Sequence, residues 1–171
     1  MLETVARLSA EFPNLVPCLA RRREIDDNFY AQFEQDREMK PIHVNGDSYG
    51  LLHSADVSLV SSGTATLEAA LCGRPFCVVY RTGWITYQIA RRVIKLDKVG
   101  LVNIVAGEKI VPEFLQNEMT PENLVRFCSG ILSGSTHVNE MIMALKLVRA
   151  KLGEPGASKR AADLVMAELQ S

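Results

Sequence analysis

The chain has 171 residues, of which 47% are apolar and 23% charged, with a formal net charge of −1. That length and balance describe one globular domain with enough chain to bury a core, and they exclude a disordered polymer. The near-neutral charge lacks the basic footprint of a nucleic-acid binder, and no apolar run is long enough to span a membrane as a helix.

Leu2 to Glu11 reads as a helix with Leu2, Val5, Ala6 and Leu8 on its apolar side. Pro13-Asn14 is a turn, and Leu15 to Leu19 a short strand. Arg21 to Glu38 has helical period, with Ile25, Phe29 and Phe33 as its expected buried stripe. Its Arg21-Arg22-Arg23 start reads as a solvated helix end; the alternative is a set of cations opposite a phosphate. Pro41 to Val44 is a strand, Asn45-Gly46-Asp47 a turn, and Tyr49 to Ser54 a short helix.

The next stretch organises the chain. Val57 to Ser61 is a short apolar strand, and Ser61-Ser62-Gly63-Thr64 a small polar turn. Thr64 to Leu71 is a helix with Leu67, Ala70 and Leu71 on one face. Gly73 stops it, and Phe76 to Tyr80 is the following strand. The first amides of a helix lack internal partners and its dipole favours negative charge, so this turn suits an anion. Gly63 would let a phosphate approach the backbone, and Ser62, Thr64 and Thr66 would add hydroxyl donors. Glu68, one turn after Thr64, is placed to accept from ribose hydroxyls. The same residues serve equally well as a plain helix cap with a solvated Glu68.

Trp84 to Leu96 reads as an amphipathic helix with Ile85, Ile89 and Val93 opposite Arg91, Arg92 and Lys95, a pattern that fits a lipid surface or ordinary core packing. Val99 to Val105 is expected as the last strand, leading into Asn103, with Ala106-Gly107 as a turn. Ile110 to Gln116 is expected as a short helix. Thr120-Pro121-Glu122-Asn123 is a strong helix start: a cap, a proline in the first position and an acid in the first turn. Two more helices follow, Val138 to Lys151 and Lys159 to Gln170, parted by Gly153-Glu-Pro-Gly156. The alternation predicts an α/β, Rossmann-like, doubly wound parallel sheet, whose ligands lie at the carboxyl ends of the strands. Ser62 and Asn103 both fall near predicted strand ends.

The four cysteines, Cys18, Cys72, Cys77 and Cys128, stand in apolar contexts without a Cys-x-x-Cys pair. They read as small buried hydrophobes in a reducing compartment rather than disulfides. Met1 to Arg7 does not have the layout of a secretory signal, and the reducing-compartment reading of the cysteines gives a cytoplasmic location as the expectation. His43, His53 and His137 lack ligand spacing, and no metal site is assigned. Neither common nucleotide loop, G-x-x-x-x-G-K-[ST] or G-x-G-x-x-G, is present, nor a G-x-S-x-G elbow. There is also no Asp-x-Asp to hold a divalent ion, so a pyrophosphate bound here would be neutralised by helix amides.

Ser62-Gly-Thr-Ala-Thr-Leu-Glu68 with Cys77-Val-Val-Tyr-Arg81 resembles the nucleotide-sugar half of the lipid-A-disaccharide synthases. Leu101-Val-Asn-Ile-Val-Ala-Gly-Glu-Lys-Ile-Val-Pro-Glu-Phe-Leu-Gln116 resembles that family's second signature more specifically, and Tyr49-Gly-Leu-Leu-His-Ser-Ala-Asp-Val57 also fits. The resemblance runs from about Leu2 to Gln170. It implies a GT-B glycosyltransferase of two Rossmann-like domains, with no cofactor and no metal. The family transfers 2,3-diacylglucosamine from UDP-2,3-diacylglucosamine to 2,3-diacylglucosamine 1-phosphate, forming a β-1,6 disaccharide and releasing UDP at the inner face of the cytoplasmic membrane.

Carried over by motif, Ser62, Gly63, Thr64 and Thr66 would bind the UDP phosphates, Glu68 the ribose, and Asn103 would face the donor with Gln116 nearby. Tyr80 and Arg81 match the motif, either touching substrate or bracing the strand. The resemblance also implies an N-terminal acceptor domain that supplies the catalytic base, and an opening strand with a Gly-Ser-Arg turn. Neither is found in residues 1–171, which read as a truncated UDP-sugar domain missing its first strand, without transferase activity alone. Exchange of C-terminal segments between two subunits and contact with the inner membrane are further implications. The competing expectations are another GT-B enzyme of UDP-GlcNAc (an undecaprenyl-linked GlcNAc transferase or an epimerase) and a non-catalytic binding or assembly module.

Overall fold

The computed structural model describes residues 1–35, 39–83, 98–135, 137–154 and 156–169. The predicted Trp84 to Leu96 helix and the end of the last helix at Gln170 lie outside the described residues.

Helix α1 (Leu2–Glu11) buries Thr4 and Leu8, one turn apart. Strand β1 (Cys18–Arg21) pairs in parallel with β2 (Ile42–Asn45). The strand starts later than Leu15 because Pro17 has no N–H to give; its carbonyl accepts from Ile42 N at 2.8 Å and opens the ladder. Helix α2 is Asp27–Glu34, capped by the Asp26 side chain on Asn28 N at 2.7 Å. The Arg21 to Glu38 expectation is corrected here, because Arg21 is ladder residue and partner of Asn45. The expected stripe also fails to enter a core: Phe29 and Phe33 stay about half exposed, edge to face with ring centroids 5.3 Å apart.

Helix α3 (Ser48–Ser54) leads to β3 (Ser58–Ser61), α4 (Ala65–Cys72) and β4 (Phe76–Tyr80). Gly73 closes α4 in the left-handed conformation, as expected. Two predicted elements exchange type. Val99 to Val105, expected as a strand, forms helix α5 (Leu101–Ala106). Ile110 to Gln116, expected as a helix, holds strand β5 (Glu113–Leu115), followed by a 3-10 turn over Gln116–Glu118. The reason is tertiary: β4 offers a free parallel edge, and Val78, Val79 and Tyr80 pair with Glu113, Phe114 and Leu115. Helices α6 (Pro121–Leu132), α7 (His137–Leu152) and α8 (Ala157–Leu169) complete the described chain. Thr120 caps α6 by accepting from Asn123 N, as its sequence predicts.

The result is an α/β fold with parallel strands in two small sheets, β1-β2 and β3-β4-β5, consistent with a Rossmann-like doubly wound arrangement. Strand β4 is buried on both faces, which is why Phe76-Cys-Val-Val reads as a continuous apolar run. Phe76 and Val78 join Val60, Ala69, Ala70, Val102, Leu145 and Val148 on one side. Cys77 and Val79 meet Leu124 of α6, with Phe114 and Phe127, on the other. Helix α3 packs against β1, β2 and α4, and so bridges the two sheets. Helix α1 lies along α6, held by Arg7 Nη1 donating to Glu122 Oε1 at 2.6 Å and Ser129 Oγ to Glu11 Oε2 at 2.7 Å.

Candidate functional site

The carboxyl ends of β3, β4 and β5 lie side by side in that order, and bring Ser62, Tyr80-Arg81 and Gln116 to one edge. Above β3 the chain turns sharply at Gly63, whose φ of 130° no side-chain-bearing residue adopts easily. A Cβ built there would meet nothing within 4 Å, so the turn is open on its outer side. Thr64 follows as N-cap of α4 with no side-chain cap bond. The first internal amide bonds are Thr66 N to Gly63 O at 3.1 Å and Leu67 N to Thr64 O at 2.9 Å. Among the described residues the amides of Gly63, Thr64 and Ala65 before them have no backbone acceptor, and they stand at the positive end of the helix, which favours an anion.

The predicted residues divide into two groups. Gly63 and Ser62 are half-buried, Thr64 is exposed, and Glu68 is half-buried one turn along α4. Burial, and then the Glu68 charge, push both the Cys72 thiol and the Tyr49 hydroxyl up, so the carboxylate sits where α3 and α4 meet. Tyr80 and Arg81 are exposed at the edge. Gln116 stands just past β5 in the left-handed region, at φ 49°, unusual for a residue with a side chain. Its Nε2 donates to Thr82 O at 3.2 Å and ties the exit of β5 to the exit of β4.

Thr66 and Asn103 belong to the second group. Both were expected against a ligand, and both are fully buried with their polar atoms spent inside the protein. Thr66 Oγ1 donates to Gly63 O at 2.8 Å and accepts from Val102 N at 3.4 Å. Asn103 Oδ1 accepts from Ile110 N and Val111 N at 2.9 and 3.1 Å. Its Nδ2 donates to Val111 O at 2.9 Å and Glu113 Oε1 at 2.8 Å. They shape the edge from beneath. Asn103 also sits inside a helix, not at the strand end that sequence reasoning gave it.

Sequence reasoning missed Glu113. Its carboxylate accepts from Val99 N at 2.9 Å and Gly100 N at 2.8 Å, at the start of α5. The available signal was a lone acid within Ile110-Val-Pro-Glu-Phe-Leu115. The arginine cluster is corrected too. Arg21 is largely buried: it donates to Asp27, lies 4.3 Å over the Tyr30 ring, and its Nη1 is 3.2 Å from His43 Nδ1. His43 Nε2 is in turn 2.7 Å from Glu34. Arg21 therefore anchors α2 to the β1-β2 sheet and is neither a solvated helix end nor a phosphate clamp. The cysteines are all free, with Cys77 and Cys128 buried as expected, but Cys18 exposed.

Comparison with known proteins adds a family. The model of the family described as lipid-A-disaccharide synthetase matches residues 1–167. A lipid-A-disaccharide synthase of Myxococcus xanthus (strain DK1622) is 39% identical over 166 residues, covering 97% of this chain and 43% of that protein. The corresponding enzyme of Anaeromyxobacter dehalogenans (strain 2CP-C) is 38% identical over 169 residues, 97% of this chain and 44% of its own. That of Geobacter metallireducens (strain ATCC 53774 / DSM 7210 / GS-15) is 31% identical over 166 residues, with coverages of 97% and 43%. The chain thus spans less than half the length of the curated relatives it matches.

Proposed function

Because the chain belongs to the lipid-A-disaccharide synthetase family, we propose that residues 1–171 form the donor domain of a glycosyltransferase and bind the UDP part of UDP-2,3-diacylglucosamine. The observation that carries this is the open, uncapped start of α4 above Gly63, at the carboxyl end of β3. The diphosphate lies against the amides of Gly63, Thr64 and Ala65, with the Thr64 hydroxyl beside it and Ser62, whose Oγ donates to Val99 O, bracing the turn, and Glu68 accepts from the ribose. Thr66 and Asn103 hold that surface in place rather than touch the ligand. Gln116, Tyr80 and Arg81 border the sugar side of the edge.

This arrangement does chemistry by charge placement. When the glycosyl bond breaks, negative charge gathers on the departing UDP, and fixed helix amides stabilise it without reorganising. The acceptor in this proposal is 2,3-diacylglucosamine 1-phosphate. Its hydroxyl needs a general base and an acceptor-binding domain from outside residues 1–171. The short coverage of the relatives supports that division. The reaction is assigned to the cytoplasmic face of the inner membrane, and pairing of two copies by exchange of C-terminal segments fits the exposed α8.

A UDP titration followed by amide NMR tests the donor site. Shifts should gather on residues 62 to 68. Glu68→Gln, which keeps shape and removes the charge, should weaken affinity about ten-fold while leaving the free spectrum otherwise unchanged. A folded chain whose spectrum ignores UDP would refute the site.

A further inference from the structure

We infer that Glu113 is the positioning residue of the donor site: it holds the Val99-Gly100 turn, and through it the Ser62-Gly63 turn, in the geometry that receives the diphosphate. This rests on the donor-site reading above, and deepens it by a residue that never touches the ligand.

The contacts run in two chains from one carboxylate. Glu113 accepts from Val99 N, Gly100 N and Asn103 Nδ2, at 2.9, 2.8 and 2.8 Å. The Val99 carbonyl then accepts from Ser62 Oγ at 3.3 Å, which reaches the turn directly. The second chain runs through α5. With its start fixed by Glu113, Val102 N donates to Thr66 Oγ1, and Thr66 Oγ1 donates to Gly63 O. Ser62 and Thr66 flank Gly63, so the amides of this turn are held from both sides. Bonds from a charged acceptor to three donors in a half-buried place are stronger than neutral ones. Glu113 also places a negative charge on the start of α5. Among the described residues at this edge, that leaves the start of α4 as the helix end open to an incoming anion.

The experiment is amide hydrogen exchange and UDP titration on the 171-residue chain, for the wild type, Glu113→Gln, Ser62→Ala and the double variant. Cys128→Ala, on α6 and away from the edge, controls for lost stability. In Glu113→Gln, exchange should quicken at Val99 and Gly100 and also at Val102, Thr66 and Leu67, and UDP affinity should fall about ten-fold. The double variant should lose no more affinity than the worse single variant, because both cut the same chain. Exchange changes confined to Val99, Gly100 and Asn103, with UDP affinity unchanged, would overturn the inference. An equal affinity loss in Cys128→Ala would overturn it too. Should Glu113→Gln not fold, Glu113→Asp keeps the charge while withdrawing it from the amides, and the same outcomes apply. If the wild type binds no UDP, the donor-site reading fails, and the exchange pattern still decides whether Glu113 governs the turn.

Discussion

An added Cβ at Gly100 would stand 2.9 Å from Val78 Cγ2 and 3.2 Å from Glu113 Oε1. Gly100 is therefore glycine for closeness and not for backbone freedom, since its φ of −72° suits any residue. Only this approach lets its amide reach the Glu113 carboxylate while α5 lies on β4. Gly100→Ala should destabilise the chain by about 1–3 kcal/mol, the usual cost of overpacking. Val78→Ala in the same chain should restore part of that loss by clearing the Cγ2 atom, and urea unfolding of both variants measures it. At this scale the site was half legible. The placement of Ser62, Gly63 and Thr64 at the turn and of Glu68 one turn along α4 was readable because turn chemistry and helix spacing are local. The inward direction of Thr66 and Asn103 was not, because each is decided by partners outside its own helical turn: Val102, 36 residues on, for one, and Val111 and Glu113, 8 and 10 residues on, for the other.

Helices and strands with their own local signals came out as read: α4 with its Gly73 stop, α6 with its Thr120 cap, and β4 with its apolar run. Val99 to Val105 and Ile110 to Gln116 did not, since β-branched residues suit either state and the β4 edge made the choice. Helix α6 also carries a testable pH dependence. It covers the lower face of β4, and burial raises the Cys128 thiol from 9.0 to about 11. Burial, and then Cys128, push the Cys77 thiol up further. The unfolded chain ionises these thiols first. Their contribution is therefore complete below the unfolded value of 9.0 and is lost as pH rises from there toward about 11. The urea midpoint of the wild type should fall across that window. It should fall much less in Cys77→Ala/Cys128→Ala, and equal slopes would remove the thiols from the explanation.

At the scale of the whole molecule, the described strands form two sheets instead of one, joined by helix α3. Helix α8 carries Leu164, Val165, Met166 and Leu169 on its exposed surface. The chain covers 43% of its relative from Myxococcus xanthus. The purified 171-residue chain should accordingly give no disaccharide from UDP-2,3-diacylglucosamine and acceptor in a radiolabel assay, even where it binds UDP. Turnover at the rate of a full-length relative would refute that division of labour. What the sequence determined by itself was the fold class, the order of most elements and the tight turn at Gly63 between β3 and α4. Periodicity, caps and turn residues act within a few positions of one another, so a linear reading suffices for them. What only the tertiary structure decided was the identity of β5 and α5, the scaffold roles of Thr66 and Asn103, and the place of Glu113 beneath the turn. Those depend on a free sheet edge and on buried polar groups finding partners, and burial is a property of the packed chain alone.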